Sequence, residues 1–348
     1  MASDTGIATA VATKEEIKPR LEPEGAAREP QLSPTPSPRR YYASIFPGPE
    51  VAVDDQLVSL VKRLESILEI PIWLLVQDGE ARDPFGDIDR DVFTGFRNRY
   101  KEIEDKKPVG LLIESPGGDA HLAYQIARLF QRRASQFTVI IPRCAKSAAT
   151  LVALGATELI MGRDAELGPL DVQMLDPERE EIGSALNAVQ SLERLNAFSM
   201  AAVDQLMPLL IRRTGRKIDT LLPMVLNYVV NFVKPLLEKI DAVDYTKKSR
   251  ELKVAEQYAI RLMKSRYTWL KAKAVAGSLV EKFPTHGFVI DRDESSAYEN
   301  VGAPGATEKF GLGLSIKGGT PETENILSEL VPVLDGLTVI GRLKEMPS

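Results

Sequence analysis

A lysine and a serine stand side by side in a stretch of the chain that is otherwise small and apolar. The stretch reads IPRCAKSAATLVALGA over residues 141–156, and Lys146 and Ser147 are followed by two alanines and a threonine. A serine at the start of a helix is a common N-cap, but its hydroxyl can also attack a carbonyl carbon and form an acyl intermediate. An N-cap does not explain why the following residues are so small. We therefore expect a second stretch of backbone to approach Ser147 closely.

A Pro-Gly-Gly turn is a candidate for that second stretch. In LLIESPGGDAHLAYQIARLF, Gly117 and Gly118 lie between an apolar run and a helical pattern. Glycine has no Cβ, so such a turn admits a close neighbour and leaves backbone N–H groups accessible. The motif alone favours a plain tight turn. If it faces Ser147, however, the N–H groups of Gly117 and Ala148 could hold a negatively charged oxygen, as an oxyanion hole does.

Four short apolar runs alternate with helical patterns around these two motifs. The runs cover residues 71–77, 109–115, 137–142 and 158–161. Runs of this length, separated by helices, are typical of strands buried on both faces of a mainly parallel sheet. The predicted fold class is therefore α/β. Because both motifs follow a strand, two strand ends and two helix starts should face each other on neighbouring strands.

The chain divides into three predicted parts. Residues 1–40 are rich in proline and mixed charge, which predicts a disordered tail. Residues 41–180 hold the α/β core and the candidate site. Residues 181–348 form a largely helical extension with a C-terminal element that returns to the core. Helical spacing in this extension covers 184–214, 217–240, 246–282 and 322–334.

Composition argues against several classes of function. A net charge of −5 offers no basic surplus for a nucleic-acid partner. The single cysteine, Cys144, and the two histidines give no disulfide and no zinc spacing, so we predict neither a metal nor another cofactor. The first residues do not resemble a secretion signal, which together with the lone cysteine predicts a cytoplasmic protein.

The longest apolar stretch lies in the helical extension. It reads LLPMVLNYVVNFVKPLLEKI over residues 221–240 and is interrupted by Asn227, Asn231 and Lys234. A membrane span needs about 20 mostly apolar residues. We therefore predict no transmembrane segment here, but an amphipathic helix pair or a helix that faces a partner.

The motifs taken together resemble a known family. The blocks SPGGDA, AKSAATLVALGATELIMGRDAELGPLD, FPTHGFVI and FGLGL are similar to blocks of the serine dehydratase (or dehydrogenase) proteinases. This bacterial and archaeal group belongs to the signal peptide peptidase A branch of the Clp/crotonase superfamily. The resemblance implies a Clp/crotonase-like fold, in which a mainly parallel sheet of repeated ββα units forms a spiral with flanking helices. It also implies a homo-oligomer, built as a ring or as stacked trimers.

The resemblance assigns roles to several residues. Ser147 is the implied nucleophile, Gly117 and Ala148 supply the N–H groups of the oxyanion hole, and Gly118 shapes the turn of that hole. The implied activity is that of an ATP-independent serine peptidase, which cleaves peptides or unfolded protein through an acyl-enzyme on Ser147.

The sequence leaves the general base undecided. The superfamily uses a histidine or a lysine located after the serine, but neither occurs between Ser147 and Arg216. Lys146 adjoins the serine, although neighbouring residues on a helix do not face each other. His286 titrates in the right range and lies in the FPTHGFVI block. We rank these two level, with His121 behind them.

Acidic residues near the motifs could orient the base. Asp171 in LGPLDVQ is the candidate for this role, whereas Asp119 in GGDA is more simply a helix cap. Cys144 is most simply a small buried residue at a strand end.

Two other functions stay open. A protein that keeps the oxyanion pocket but has no base would be an inactive scaffold that binds peptides or supports assembly. The same fold also holds acyl-CoA thioesters in other proteins, but the residues of an adenine pocket are not recognisable here.

Overall fold

The computed structural model describes residues 39–79, 85–176, 181–296 and 311–347. The predicted tail at 1–40 therefore lies outside the described residues, except for its last two. From Arg39 onward the chain forms one compact unit.

A six-stranded sheet forms the centre of this unit. Its strands are β1 (Tyr41–Ala43), β2 (Ile72–Val76), β3 (Val109–Glu114), β4 (Phe137–Ile141), β6 (Glu158–Met161) and β11 (Val339–Glu345). They lie in the order β1-β11-β2-β3-β4-β6. Strands β2, β3, β4 and β6 run parallel, whereas β11 pairs antiparallel with β2 and β1 pairs antiparallel with β11. The four parallel strands are the four predicted apolar runs, so the mainly parallel sheet is confirmed.

Helices cover both faces of the sheet, because alternate side chains of each strand point to opposite sides. Trp73 and Leu75 pack with one layer, and Ile72 and Leu74 pack with the other. The first layer contains α2 (Arg90–Arg99), which a 3₁₀ turn at Tyr100–Glu102 extends, and α3 (Ala120–Arg133), α4 (Ala148–Leu154) and α7 (Ala242–Met263). The second contains α1 (Asp55–Leu68) and α10 (Pro321–Leu334).

A small three-stranded sheet lies beside the main one and has the order β10-β7-β5. Its strands are β5 (Cys144–Ala145), β7 (Glu166–Leu167) and β10 (Ile290–Asp291). The strand β5 pairs parallel with β7, and β10 pairs antiparallel with β7. A separate antiparallel hairpin contains β8 (Gln173–Asp176) and β9 (Glu181–Ser184). The small sheet brings a late part of the chain next to the stretch that contains Ser147.

The helical extension consists of several separate helices. Residues 185–214 and 218–237 form the long helices α5 (Ala185–Thr214) and α6 (Ile218–Leu237), as their spacing indicates. Residues 246–282, which carry helical spacing, belong to two helices, because α7 ends at Met263 and α8 (Trp269–Gly277) begins afresh. The hydroxyl of Thr268 accepts a hydrogen bond from the N–H of Lys271 and so caps α8. A π-helical turn at Ser278–Lys282 follows, and α9 spans Arg292–Ser296.

Candidate active site

Ser147 occupies a strained position between β5 and α4. Its backbone has φ 49° and ψ −119°, and its side chain makes no capping hydrogen bond to the helix that follows. A positive φ at a non-glycine residue is uncommon and costs of the order of 1–3 kcal/mol, which the surrounding structure must offset. Ser147 is therefore not an N-cap with a bonded side chain.

The glycine turn approaches Ser147 as the small residues of the sequence predict. Ser115 N donates to Cys144 O at 3.1 Å, and Lys146 N donates to Ser115 O at 3.0 Å, so these two chain segments run side by side. A Cβ built on Gly117 would lie 2.8 Å from both Lys146 O and Ser147 Cβ. Only glycine fits at this point of contact.

Replacing Gly117 by alanine is expected to destabilise the fold by about 1–3 kcal/mol, because it adds a clash at a residue with φ 117°. The free energy of unfolding in urea measures this. Gly277→Ala is the matched control, since Gly277 has φ −62° and no neighbour within 4 Å of an added Cβ. Equal stability of the two variants would contradict the close packing described above.

The free N–H groups near Ser147 differ in part from the oxyanion donors that the sequence suggested. The N–H of Gly117 donates to Ser115 Oγ at 3.2 Å, and that hydroxyl donates to Gln77 Oε1 at 2.7 Å. Gly117 is therefore not a free donor. Within the described ranges, the N–H groups of Gly118 and Ala148 have no backbone or side-chain acceptor. These two N–H groups are the pair available to a developing negative charge.

The side chains that set this arrangement were not recognised from the sequence. Gln77 follows β2 and Ser115 follows β3, and both are buried. Gln77 Nε2 also donates to Phe85 O at 2.7 Å, so the amide is held at both ends. Ser115 could have been suspected because it opens the SPGG block, whereas nothing in the sequence signals Gln77.

His286 and Asp171 form a hydrogen-bonded pair. His286 Nδ1 lies 2.6 Å from Asp171 Oδ1, and only 4% of the Asp171 side chain is exposed. Burial alone would raise the pKa of Asp171, but hydrogen bonds from His286, Ser184 and Gln173 outweigh burial and hold the pKa below its usual value. The bond to Asp171 in turn raises the pKa of His286, although burial opposes this. An imidazole whose Nδ1 is fixed in this way has Nε2 free to accept a proton.

The other two candidate bases are engaged elsewhere. Lys146 Nζ forms an ion pair with Glu166 Oε1 at 2.6 Å and also donates to Leu167 O at 3.4 Å. His121 Nδ1 lies 2.9 Å from the hydroxyl of Tyr258. Lys146 is therefore paired with an acid, and of the two residues only His121 also lines the cavity described next.

A cavity of about 360 Å³ brings the remaining candidates together. Ser147, Ala148, Gly118, Asp171 and His286 all line it. Its other walls include the apolar residues Leu151, Leu170, Val254 and Ala255. A serine hydroxyl, an imidazole with a carboxylate partner and two free N–H groups in one cavity are the parts that acyl transfer requires.

Asp119 and Cys144 have structural roles. Asp119 Oδ1 accepts hydrogen bonds from the N–H groups of His121 and Leu122 and so caps α3. Burial and the adjacent carboxylate of Glu114 raise the pKa of Cys144 to about 12, so its thiol is protonated at neutral pH.

Across the described ranges, no group of three or more His, Cys, Asp or Glu side chains could hold a metal ion.

Comparison with known proteins finds two similar proteins from one organism. The chain is 25% identical over 237 residues to one uncharacterized protein of Methanocaldococcus jannaschii, which covers 67% of this chain and 61% of that relative. It is 32% identical over 122 residues to a second uncharacterized protein of the same organism. This matched region covers 34% of this chain and 38% of that relative. The chain thus spans less than two thirds of the length of either relative.

A solved structure, a peptidase from Plasmodium falciparum, matches 49% of this chain and 87% of its own. The identity is 12% and the TM-score is 0.26.

A family model gives the clearest match. The model of the ClpP-like SDH-type serine proteinases matches residues 54–204, a range that includes the glycine turn, Ser147 and Asp171 but not His286. Over this range the match agrees with the family that the sequence motifs resemble. Residues 54–204 are thus similar to the ClpP-like SDH-type serine proteinases.

Proposed function

We propose that the protein is a serine peptidase that hydrolyses peptide bonds through an acyl-enzyme on Ser147, without ATP. The observation that carries this proposal is that one cavity is lined both by the strained Ser147 and by the His286–Asp171 pair. The family match over residues 54–204 supports a peptidase-like fold, and the motifs around Ser147 support a place in the signal peptide peptidase A branch.

The proposed reaction begins with proton transfer from Ser147 Oγ to His286 Nε2. The freed oxygen attacks the carbonyl carbon of the peptide bond, and the resulting oxyanion accepts hydrogen bonds from the N–H groups of Gly118 and Ala148. Protonated His286 then gives its proton to the leaving amine, which breaks the C–N bond. Water, deprotonated by the same imidazole, hydrolyses the acyl-enzyme and regenerates Ser147.

Asp171 has a positioning role in this scheme. Its carboxylate accepts a hydrogen bond from the Nδ1–H group of His286, which selects the tautomer that can act as a base at Nε2 and stabilises the imidazolium that forms. The lowered pKa of Asp171 keeps the carboxylate charged through the neutral range.

The proposal also includes the substrate class, the oligomeric state and the cellular location of the protein. Peptides or unfolded segments are the proposed substrates, because an extended chain can reach into a cavity of this size. The family resemblance supports a homo-oligomer, and the net charge of −5 supports the absence of a nucleic-acid partner. The single cysteine supports a location in the cytoplasm.

Reaction with a fluorophosphonate probe tests the proposal. The probe forms a covalent bond with an activated serine, so we expect the native protein to be labelled and Ser147→Ala to stay unlabelled. Tryptic mass spectrometry should place the label on the peptide that contains Ser147. Folded native protein that is not labelled would instead support an inactive scaffold that binds peptides.

The pH dependence tests the role of Asp171. Activity requires neutral His286, so kcat/KM should rise as the pH passes upward through the raised pKa of this imidazole. Asp171→Asn removes the charge that raises this pKa and replaces the carboxylate by an amide that can donate to Nδ1, so the acid limb should move to lower pH while kcat falls about 10⁴-fold. A pH–rate profile of both proteins measures this. An unmoved acid limb would mean that His286 is not the titrating base.

A further inference from the structure

One acidic side chain in the cavity of Ser147 has no part in the proposed reaction. Glu251 on α7 is partly buried and lines this cavity. Val254 and Ala255, three and four residues further along the helix, line it as well. Residues with this spacing share one side of a helix, so Glu251 lies on the side of α7 that borders the cavity.

Glu251 differs from the other acidic residues of the cavity in having no bonding partner. Asp171, which also lines the cavity, is bonded to His286, and Asp119 accepts two backbone N–H groups of α3. Within the described ranges, the carboxyl group of Glu251 makes no hydrogen bond and no ion pair. An acidic group that is partly removed from water without a partner is unfavourable. A cationic group of a bound molecule would supply that partner.

The cationic side chains of α7 do not fill this role. Lys248 and Lys253 are each paired with another acid of the same helix. Lys247, one turn before Glu251, is exposed and forms no ion pair with it. Among the described residues that line the cavity there is no lysine and no arginine. A cationic group that enters the cavity would therefore meet Glu251 without competition from a lysine or arginine of the cavity wall.

The rest of the cavity wall is suited to a side chain with an apolar stem. Leu151, Leu170, Val254 and Ala255 line the same space as Glu251. Lysine and arginine pack their aliphatic stems on apolar surface and extend a charged end toward polar groups. A small cation without a stem would leave the apolar wall uncovered. The combination of one unpartnered acid with apolar walls therefore fits a lysine or arginine side chain.

We propose that Glu251 is a specificity-determining residue, which binds a lysine or arginine side chain of the peptide next to the bond that Ser147 attacks. This inference rests on the proposed function, because the peptide enters the cavity as the substrate of Ser147. The carboxyl oxygens of Glu251 accept charge-assisted hydrogen bonds from the ammonium or guanidinium group. A peptide with an uncharged side chain at this position leaves Glu251 unpaired, and one with an acidic side chain is repelled.

Peptide binding to Ser147→Ala tests the proposal, because this variant binds peptide without cleaving it. The peptides are acetylated at the N-terminus, amidated at the C-terminus and identical except for one central residue, which is lysine, arginine, norleucine or glutamate. Norleucine keeps an aliphatic stem but has no charge. We expect isothermal titration calorimetry to give the lysine and arginine peptides an affinity at least about tenfold higher than that of the norleucine peptide. The glutamate peptide should bind most weakly.

Two substitutions of Glu251, each combined with Ser147→Ala, assign the preference to this residue. Glu251→Gln keeps the shape of the side chain, so the lysine peptide should bind within about twofold of the norleucine peptide, whose own affinity should not change. Glu251→Lys should reverse the order and favour the glutamate peptide. The matched control is Glu193→Gln, which removes one exposed acid of α5 and should keep the preference for lysine. Circular dichroism checks that each variant folds.

Several outcomes would overturn the proposal. They are equal binding of the lysine and norleucine peptides, no binding of any peptide, and a lysine preference that survives Glu251→Gln. A further one concerns the N-terminal amine of the peptide. If a norleucine peptide with a free N-terminus bound as tightly as the acetylated lysine peptide, the cavity would take the terminal ammonium group and not the side chain.

The test separates this inference from the proposed peptidase activity, since calorimetry measures binding and not hydrolysis. A lysine preference in a protein that neither cleaves peptides nor reacts with fluorophosphonate would contradict the peptidase and support the role of Glu251 in binding. Hydrolysis by the native protein without any preference for lysine or arginine would contradict only the role of Glu251.

Discussion

Ser147→Ala is expected to lower kcat for peptide hydrolysis by about 10⁴-fold or more and to leave KM nearly unchanged. Removal of a serine nucleophile deletes the covalent step, whereas the apolar walls and the free N–H groups of the cavity still bind substrate. The measurement is steady-state hydrolysis of a fluorogenic peptide. Residual hydrolysis above that of water would come from the oxyanion donors alone.

A second serine serves as the control for this result. Ser191 lies on the exposed side of α5, and its hydroxyl donates to Asn187 O within the helix. Ser191→Ala should keep both the activity and the fluorophosphonate label. If Ser147→Ala retained most of the native kcat, the proposed acyl-enzyme would be wrong.

His286→Ala is expected to lower kcat nearly as far, by about 10³–10⁴-fold or more, because the serine hydroxyl would lose its base and the leaving amine its acid. Combining this change with Ser147→Ala should cost little beyond either single change, since residues that act as a unit are not additive. The same peptide assay, run on the two single variants and the double variant, measures this.

The variant Lys146→Arg distinguishes between Lys146 and His286, the two candidate bases that the sequence ranked equally. Arginine keeps the positive charge that pairs with Glu166, but it does not deprotonate in a protein and cannot act as a base. If Lys146 only forms the ion pair, Lys146→Arg should retain kcat within about tenfold. Loss of activity in Lys146→Arg together with activity in His286→Ala would assign the base to the lysine.

The sequence predicted best those structural features that depend on residues close together along the chain. The four parallel strands and α3 follow from continuous apolar runs and helical spacing. The close approach of the glycine turn to Ser147 follows from small residues in two adjacent motifs. By contrast, β11 was missed because Arg342, Lys344 and Glu345 interrupt its apolar pattern, although it pairs with β2 in the sheet.

The remaining parts of the site depend on long-range contacts. Gly117 was taken as an oxyanion donor because nothing local shows that Ser115 Oγ, held by Gln77 from another strand, accepts its N–H. The partner of His286 is Asp171, and these residues are brought together only when the small sheet forms. Periodicity and motif spacing contain no information on such contacts.

The small three-stranded sheet has a consequence for how the chain can vary in length. Each of its strands lies within four residues of one candidate catalytic side chain: β5 precedes Ser147, β7 precedes Asp171 and β10 follows His286. Strand pairing, and not the helices between, therefore sets the spacing of the three side chains. Doubling the length of a connecting segment costs only about 0.6 kcal/mol in closure entropy. The hairpin of α5 and α6 could thus be lengthened, shortened or exchanged between proteins while the same three side chains keep their places.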